Sequence, residues 1–260
     1  MDFIKKIAEQ HRIEFFLPVS EPEIEVLNAR RGDMENMGVK LLLNNKTIID
    51  NCLDKLKTVQ YLRQLDIRVP ETVMLKDYDG SFGYPFIIKA RKGCGSKRLW
   101  IVDNSDDLGY IKNKDDGSLI AQEYIGTDSE DYTTGIFSDG DSVDSISFRR
   151  KLGFGGVSVE AVLAEDPSLD KLSRHVGREM RLVGSINLQS RRVGNEFLPY
   201  EINPRLSSTL LFRKQFGFDD AVWWINTLRG EKYSFKKKYK SGRAVRCLAE
   251  CYFDMIEIEK

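Results

Sequence analysis

Tyr200-Glu201-Ile202-Asn203-Pro204-Arg205 closes an apolar run late in the chain, and the rest of the sequence is interpreted from it. If this stretch is a β-strand, Glu201 and Asn203 lie on one face, because alternate residues of a strand share a face. Pro204 disfavours helical geometry at Asn203 and ends the strand there. Carboxylate and amide oxygens are ligands that Mg²⁺ accepts, and the Arg205 guanidinium can bind a phosphate. The alternative is an edge strand that ends in a solvated polar turn, so other segments must decide.

A hairpin places a third oxygen-bearing side chain beside this strand. Residues 184–191 and 197–203 have the pattern of two strands joined by a turn around Gly194. Pairing centred on Gly194 puts the odd-numbered residues of both strands on one face, so Gln189 faces the same way as Glu201 and Asn203. A slip of one residue in the register would turn Gln189 to the other face. The hairpin therefore predicts three converging oxygen ligands.

Further upstream, a strand–loop–strand pattern offers cations and glycines. The apolar strand over 84–91 carries Lys89, the loop Lys92-Gly93-Cys94-Gly95-Ser96-Lys97 follows, and a second strand covers 98–102. The loop has neither the GK[ST] sequence of a Walker motif nor the helix that follows one. A hairpin tip with two glycines can still present successive backbone N–H groups to a phosphate and close over it as a lid. An ordinary flexible hairpin is the alternative.

Composition and charge narrow the class of protein. The chain has 260 residues, of which 41% are hydrophobic, and its 40 basic and 40 acidic side chains give a net charge of zero. This length suffices for a large core, and the balanced charge gives no reason to expect nucleic acid or a membrane as partner. Cys52, Cys94, Cys247 and Cys251 form no CxxC pair, which favours free thiols in a reducing compartment. No apolar run reaches membrane length, so we expect a cytoplasmic protein.

The first fifty residues have the pattern of an incomplete α/β unit. A helical pattern near the N-terminus leads to a short strand over 13–18, a helix that starts at Pro22, and strands over 40–43 and 47–49. This is typical of the last βαβ part of a doubly wound domain without its opening strand and glycine turn. Two explanations stay open: the unit is naturally short, or it begins further upstream in a longer chain.

The remaining segments alternate between strands and helices. The strand over 143–150 carries Arg149, Arg150 and Lys151 toward a glycine-rich loop. The other predicted elements are a helix over 51–65, a strand over 119–126, a strand over 132–137, a helix over 168–183, helices over 206–217 and 218–228, and a closing strand over 244–253.

These features occur in an order that resembles the ATP-grasp superfamily. The motifs that carry the likeness are Asp54-Lys55, Val69-Pro70-Glu71-Thr72, Pro85 to Lys89, Gly93-Cys94-Gly95-Ser96, Gln122-Glu123-Tyr124-Ile125, Gln189, and Glu201 to Arg205. The chain looks most like the ATP-binding units of carbamoyl-phosphate synthetase and related carboxylate–amine ligases, over roughly residues 15–230. The resemblance implies an α+β fold, with two α+β subdomains that clasp ATP and a truncated, Rossmann-like pre-ATP-grasp segment before them. The resemblance also implies two domains: a remnant of the pre-ATP-grasp domain over residues 1–50 and the ATP-grasp domain over residues 51–260, whose lid subdomain covers about 72–123.

The resemblance also implies roles for individual residues. Lys55 and Lys89 would bind the phosphates of ATP, and the tip at Gly93, Gly95 and Ser96 would cover them. The residues Gln122, Glu123, Tyr124 and Ile125 would form the adenine hinge, and either Glu130 or Asp131 would bind the ribose. The Mg²⁺ ligands would be Gln189, Glu201 and Asn203. Arg205 would steady the transferred phosphoryl group, while Arg149 and Lys151 would hold the substrate carboxylate or acyl phosphate.

The implied reaction is ATP-dependent ligation with Mg²⁺, which Mn²⁺ can replace. A small-molecule carboxylate would attack the γ-phosphate, and an amine would then displace phosphate from the acyl phosphate. A non-catalytic or partial ATP-binding module of a larger synthetase is the alternative, and a binding protein that lost the chemistry is a third. A homodimer, or association with a missing N-terminal segment, is the expected assembly.

Overall fold

The computed structural model describes residues 2–93, 98–247 and 249–251. The elements in these ranges are, in chain order, α1 (Asp2–His11), β1 (Phe15–Phe16), α2 (Glu21–Ala29), α3 (Arg31–Glu35), β2 (Lys40–Leu41), α4 (Lys46–Cys52), α5 (Lys55–Gln64), β3 (Thr72–Met74), β4 (Phe86–Ala90), β5 (Leu99–Val102), α6 (Ser105–Lys112), β6 (Leu119–Glu123), β7 (Asp131–Ser138), β8 (Val143–Leu152), β9 (Ser158–Ala164), α7 (Pro167–Glu179), β10 (Gly184–Val193), β11 (Glu196–Asn203), α8 (Leu210–Gln215), α9 (Asp220–Arg229) and β12 (Arg243–Val245).

A six-stranded antiparallel sheet forms the larger body, in the order β11-β10-β7-β8-β9-β12. One face is apolar and packs against α5 and α7, with a core that contains Val59, Leu62, Ile136, Val176, Ile186, Leu188 and Ile202. The opposite face is divided. Phe137 and Phe148 pack under α8 and α9, whereas the other end of the same face carries polar side chains such as Gln189. The half of this face that α8 and α9 leave uncovered is where a ligand can reach the sheet.

A second, four-stranded antiparallel sheet lies across that uncovered half, in the order β3-β6-β4-β5. Its far face packs Phe86 and Ile88 with α6. Because residues of a strand alternate between faces, Ile87 and Lys89 of β4 point the other way, and both line the cavity between the two sheets. The α+β architecture expected from the sequence is confirmed.

The N-terminal segment contains the parallel pair β1–β2, surrounded by α1 to α4. The strand predicted over 47–49 is wrong, because this stretch lies in α4. The Asn45 side chain caps that helix by accepting from the Ile48 N–H at 2.9 Å. The expected division at residue 50 falls inside the same helix.

The helix predicted over 51–65 is two helices. Asp54 breaks the run, because its carboxylate caps α5 by accepting from the N–H groups of Leu56 and Lys57 at 3.1 and 3.2 Å. The closing strand is also shorter than predicted and covers Arg243–Val245. Residues 248 and 252–253 of the predicted strand lie outside the described residues.

Three of the four cysteines, Cys52, Cys247 and Cys251, are free thiols as predicted, and Cys94 lies outside the described residues. Within the described ranges, none of the helices combines the length and the apolar composition needed to cross a membrane.

Gly184 is a tight point in the packing at the start of β10. It has φ +122°, and a Cβ there would lie 2.4 Å from two ring atoms of Trp224, which is buried. We expect Gly184→Ala to lower the free energy of unfolding by about 1–3 kcal/mol more than Gly80→Ala. Gly80 also has a positive φ, of +93°, but open space around it. Urea unfolding of both variants measures the difference, and equal losses would contradict the packing argument.

Candidate active site

The β10–β11 hairpin positions the oxygen-bearing side chains through a shift in its register. Its turn pairs Val193 with Glu196, and that register, continued, would place Gln189 opposite Tyr200. A shift next to Gln189 pairs it with Glu201 instead. Such a β-bulge sets two residues of one strand against one of the other and re-aims side chains. The predicted common face of Gln189 and Glu201 is confirmed, but the bulge produces it, and not the simple turn that we expected.

Gln189, Glu201 and Asn203 form an oxygen-rich wall of the cavity. Asn203 Nδ2 donates to Glu201 Oε1 at 3.3 Å, and Gln189 Oε1 accepts from Arg150 Nη2 at 3.0 Å. Of the three, only Glu201 is a carboxylate. No group of three His, Cys, Asp or Glu side chains in the described ranges is arranged to hold a metal ion. A cation at this wall would therefore be held by one carboxylate and two amide oxygens.

Arg150 is the cation that β8 directs into the cavity. Its Nε donates to Asp131 Oδ2 at 3.0 Å, and its Nη2 also donates to the Tyr200 hydroxyl at 2.9 Å. The Tyr200 hydroxyl in turn donates to Asp131 Oδ1 at 2.8 Å. Burial raises the pKa of Tyr200 far above its ordinary value, so the hydroxyl stays protonated. The network balances the Arg150 charge with Asp131 and fixes the side chain of Gln189.

Arg149 and Lys151, the cations expected from the sequence, do not line the cavity. Both are exposed, and they lie on the opposite face of β8 from Arg150, because successive strand residues alternate. The resemblance had pointed to these two residues, whereas the structure places the residue between them, Arg150, at the cavity. Of the two acids expected at a ribose, Asp131 lines the cavity, whereas Glu130 accepts from the Tyr132 hydroxyl at 2.9 Å and does not.

Lys89 is a buried cation without an anionic partner among the described residues. Lys89 is only 6% exposed, and its Nζ donates to Gln122 Oε1 at 2.8 Å. Gln122 Nε2 in turn donates to Thr72 Oγ1 at 2.8 Å, which fixes the amide. Burial lowers the pKa of Lys89 to about 8, and the nearby Lys55 and Arg191 act in the same direction, while Glu201 opposes them. A buried ammonium whose hydrogen bond goes to a neutral amide, and which lies 5.4 Å from the Tyr200 ring centroid, suits an incoming anion.

Asp54 and Lys55 fix the start of the glycine loop. Asp54 Oδ1 and Oδ2 accept from Arg91 Nε at 2.8 and 2.7 Å, and Lys55 Nζ donates to the Gly93 carbonyl at 2.6 Å. Burial alone would raise the pKa of Asp54, but the bonds from Arg91 and the backbone N–H groups lower it below its usual range. Lys55 and Gly93 line the cavity. Gly95 and Ser96, the other predicted tip residues, lie outside the described residues.

The stretch that follows β6 also lines the cavity. Glu123 and Ile125 line it, as Gln122 does, whereas Tyr124 does not. Arg191 of β10, which the sequence analysis missed, holds this stretch: its Nη1 donates to the Ile125 carbonyl at 3.2 Å, and its guanidinium lies 5.1 Å from the Tyr124 ring centroid. A single strand thus carries both Gln189 and Arg191 into the lining of the cavity.

The turn after β11 is held by side chains from remote parts of the chain. Arg246 Nη2 donates to the Ser208 carbonyl at 2.6 Å, and Arg213, buried in an ion pair with Asp220, donates to Ser207 Oγ at 3.4 Å. Asn44 reaches the same turn from the N-terminal segment. No sequence signal marks these residues, because their partners are far away in the chain.

Lys55, Lys89, Gln189, Glu201, Asn203 and Arg205 all line one cavity of about 550 Å³. This volume is within the range of small-molecule sites. The cavity has cations from both sheets and an oxygen-rich wall between them. Such an arrangement suits a polyanion with a hard divalent cation.

The ATP-grasp domain family model matches residues 52–209. The chain belongs to the ATP-grasp family. The likeness seen in the sequence motifs is thereby confirmed. Among curated relatives, the carbamoyl phosphate synthase large chain of Pseudothermotoga lettingae is 23% identical over 223 residues, which are 77% of this chain and 20% of that protein. The corresponding large chain of Helicobacter pylori is 21% identical over 236 residues, or 80% of this chain and 21% of that protein. The chain spans about a fifth of the length of these relatives.

Solved structures share the fold. The biotin carboxylase of Campylobacter jejuni superposes with a TM-score of 0.76 and 16% identity, and the match covers 92% of this chain and 60% of that one. The N5-carboxyaminoimidazole ribonucleotide synthetase of Thermus thermophilus gives a TM-score of 0.67 at 15% identity, with 82% of this ATP-grasp chain and 62% of that one covered. At such identities the likeness establishes the ATP-grasp fold alone.

The residues of this ATP-grasp chain fit both ATP and Mg²⁺. The buried Lys89 ammonium faces no carboxylate among the described residues, and Arg205 Nε is buried without a hydrogen-bond partner there. Both groups need an anion or another acceptor. The wall of Gln189, Glu201 and Asn203 supplies hard oxygen ligands of the kind that Mg²⁺ prefers.

Because burial depresses the pKa of Lys89, nucleotide binding should depend on pH. A bound phosphate favours the charged ammonium and raises its pKa, so affinity should be full below pH 8 and fall as pH rises above it, by up to about tenfold per pH unit. Calorimetric titration of Mg-ATP from pH 7 to 9.5, in buffers of different ionisation enthalpy, measures the affinity and the proton uptake. Lys89→Met should bind more weakly at pH 7 and lose this dependence. A wild-type affinity that stays flat across the range would contradict the assignment.

Proposed function

We propose that this ATP-grasp chain is an ATP-dependent ligase that activates a small carboxylate as an acyl phosphate and joins it to an amine. One observation carries the proposal: the bulge beside Tyr200 brings Gln189, Glu201 and Asn203 to one wall of the cavity that Lys89 and Arg205 also line. An oxygen-rich wall next to the buried Lys89 and the half-buried Arg205, neither of which forms an ion pair with a described residue, is what a metal-bound triphosphate needs.

Each end of the nucleotide has proposed ligands. Lys55 and Lys89 bind the phosphates, the loop that begins at Gly93 covers them, and Gln122 orients the Lys89 ammonium. The adenine lies at the stretch Glu123–Ile125, which Arg191 supports. Of the two acids proposed for the ribose, Asp131 is the candidate, because it lines the cavity and Glu130 does not. Both carboxylate oxygens of Asp131 already accept hydrogen bonds, from Arg150 and Tyr200.

Gln189, Glu201 and Asn203 are the proposed Mg²⁺ ligands, and bound Mg²⁺ would neutralise charge on the phosphate oxygens. Arg205 neutralises the transferred phosphoryl group. A carboxylate oxygen attacks the γ-phosphorus, and ADP leaves. Because the carboxylate and the γ-phosphate are both anions, nearby cations must neutralise their repulsion. The amine nitrogen then attacks the acyl carbon, phosphate leaves, and the nitrogen releases a proton to solvent. The lid keeps water away from the acyl phosphate.

The division of the chain is also a proposal. Residues 72–123 form the lid subdomain and belong to the ATP-grasp unit. Residues before the α4–α5 break at Leu53 belong to a Rossmann-like pre-ATP-grasp segment. A biotin carboxylase domain from Hydrogenobacter thermophilus, described as a dimer with MgADP and bicarbonate, has a TM-score of 0.73 to this chain, and a dimer is our proposal here too.

The second candidate function is a partial ATP-binding module of a larger synthetase. The short span of the chain relative to its curated relatives favours it. ADP release across a panel of amino acids and small carboxylates, each with and without an added amine, separates the two candidates. Acceptor-dependent ADP release supports the ligase. ATP binding without any acceptor-dependent turnover supports the module.

Both candidates require nucleotide binding, so Mg-ATP should raise the free energy of unfolding. At a ligand concentration of 100 times Kd the increase is about 2.7 kcal/mol. Thermal or urea unfolding with and without Mg-ATP measures it. If Mg-ATP at concentrations up to the millimolar range leaves the free energy of unfolding of the wild-type protein unchanged, both candidates are overturned.

Glu201→Gln tests the metal ligands. The variant keeps the shape of the side chain but removes the carboxylate of the proposed set, so the Mg²⁺-dependent gain in ATP affinity should fall by about tenfold or more. Affinity for ATP in the presence of a chelator should change far less. Glu196→Gln, on the same strand but in an exposed pair with Arg68, is the matched control and should leave both values unchanged. Equal loss with and without Mg²⁺ would contradict the assignment.

A further inference from the structure

Asn44 links the N-terminal segment to the turn that carries Arg205. The residue lies between β2 and α4, far from β11 in the chain, and it is fully buried. Its Nδ2 donates to the Ser185 carbonyl at 2.8 Å and to the Pro204 carbonyl at 3.0 Å. Because both neighbours are carbonyl oxygens, which only accept, the NH₂ group of the amide must face them. Both amide hydrogens are thereby used on the backbone.

The Ser185 carbonyl lies in β10, and the Pro204 carbonyl follows the end of β11, at the same end of the sheet. Asn187 and Asn203 form the last backbone pair of the β10–β11 ladder, Ser185 lies just before that pair and Pro204 just after it. The Asn44 side chain therefore bridges the two strands where their own ladder has ended. It fixes the backbone immediately before Arg205.

Two unsatisfied groups at this place are complementary. Asn44 Oδ1 is a buried acceptor, and Arg205 Nε is a buried donor, and neither has a hydrogen-bond partner among the described residues. Arg205 follows Pro204, which Asn44 holds. Buried polar groups without partners are costly and are usually satisfied in the working state of a site. Since Arg205 directly follows Pro204, its side chain begins one residue from the carbonyl that Asn44 Nδ2 holds.

We propose that Asn44 is a positioning residue for Arg205: its N–H groups hold the Pro204 backbone, and its Oδ1 accepts from Arg205 Nε when a phosphoryl group is bound. The inference rests on the proposed function, in which Arg205 meets the terminal phosphate. It gives the N-terminal segment a part in phosphate recognition, and not only in packing. A residue that acts through Arg205 should change the affinity for the terminal phosphate and leave the affinity for the rest of the nucleotide unchanged.

The ratio of the Kd of Mg-ADP to the Kd of the Mg²⁺ complex of a non-hydrolysable ATP analogue reports on the terminal phosphate. Calorimetric titration of the wild type and of Asn44→Ala provides it. We expect Asn44→Ala to lower the ratio about threefold to tenfold, with the Kd of Mg-ADP nearly unchanged, as for the net loss of one ordinary hydrogen bond. In an Arg205→Ala background, Asn44→Ala should change the ratio no further.

Asn45→Ala is the matched control. It removes the cap of α4 one residue away and should lower the melting temperature, while the Asn45 side-chain hydrogen bond found among the described residues goes to the Ile48 N–H and not to the turn after β11. Its nucleotide ratio should equal that of the wild type. If Asn44→Ala does not fold, Asn44→Ser keeps a hydroxyl donor in a smaller side chain and should give an intermediate ratio.

The outcomes separate the inference from the proposed function. If the wild type binds neither nucleotide, the proposed function is wrong. If the wild type binds both and Asn44→Ala keeps its ratio, or changes the ratio equally in the Arg205→Ala background, then Asn44 does not position Arg205 and the inference is wrong.

Discussion

The pairing of β10 with β11, including its shift beside Tyr200, is the constraint on which the site depends. In a regular ladder one residue of slip sends a side chain to the opposite face. The bulge uses this property locally: Gln189 meets Glu201, and Tyr200 still reaches Arg150 on the same side of the sheet. A hairpin without the bulge would separate the oxygen-bearing side chains. The larger sheet, the helices below it and the turn after Asn203 all hold this one pairing in place.

Charge is distributed unevenly around that pairing. Arg150 is neutralised by Asp131 and Arg213 by Asp220, both within the protein. Lys89, in contrast, forms no ion pair among the described residues: its ammonium donates to a neutral amide, and Glu201 opposes the effect of burial on its pKa only in part. The charge of Lys89 is therefore less well balanced within the protein than the charges of Arg150 and Arg213.

Much of the fold and part of the site could be predicted from the sequence, and the misses have physical causes. The order of motifs indicates the ATP-grasp family, and the position of Lys89 at the end of its apolar strand indicates a cation at the site. The resemblance alone pointed to Arg149 and Lys151; in β8 the residues with the parity of Ile146 and Phe148 face the cavity side, so Arg150 lies there and its two neighbours do not. Gln189 was placed correctly although the bulge is invisible in the sequence. Asn44 and Arg191 could not be found, because each acts on backbone that is remote in the chain.

The strand β10 has a consequence for the size of molecule that the cavity accepts. Gln189 and Arg191 lie on the same strand, two residues apart, and a strand advances roughly 3.4 Å per residue, so about 7 Å of rigid backbone separates them. Gln189 belongs to the oxygen-rich wall, and Arg191 holds the Ile125 carbonyl. The separation of these two parts of the cavity is thus set by the hydrogen-bonded backbone of β10, which lies inside the larger sheet between β7 and β11. A molecule that contacts both parts has to match this fixed separation.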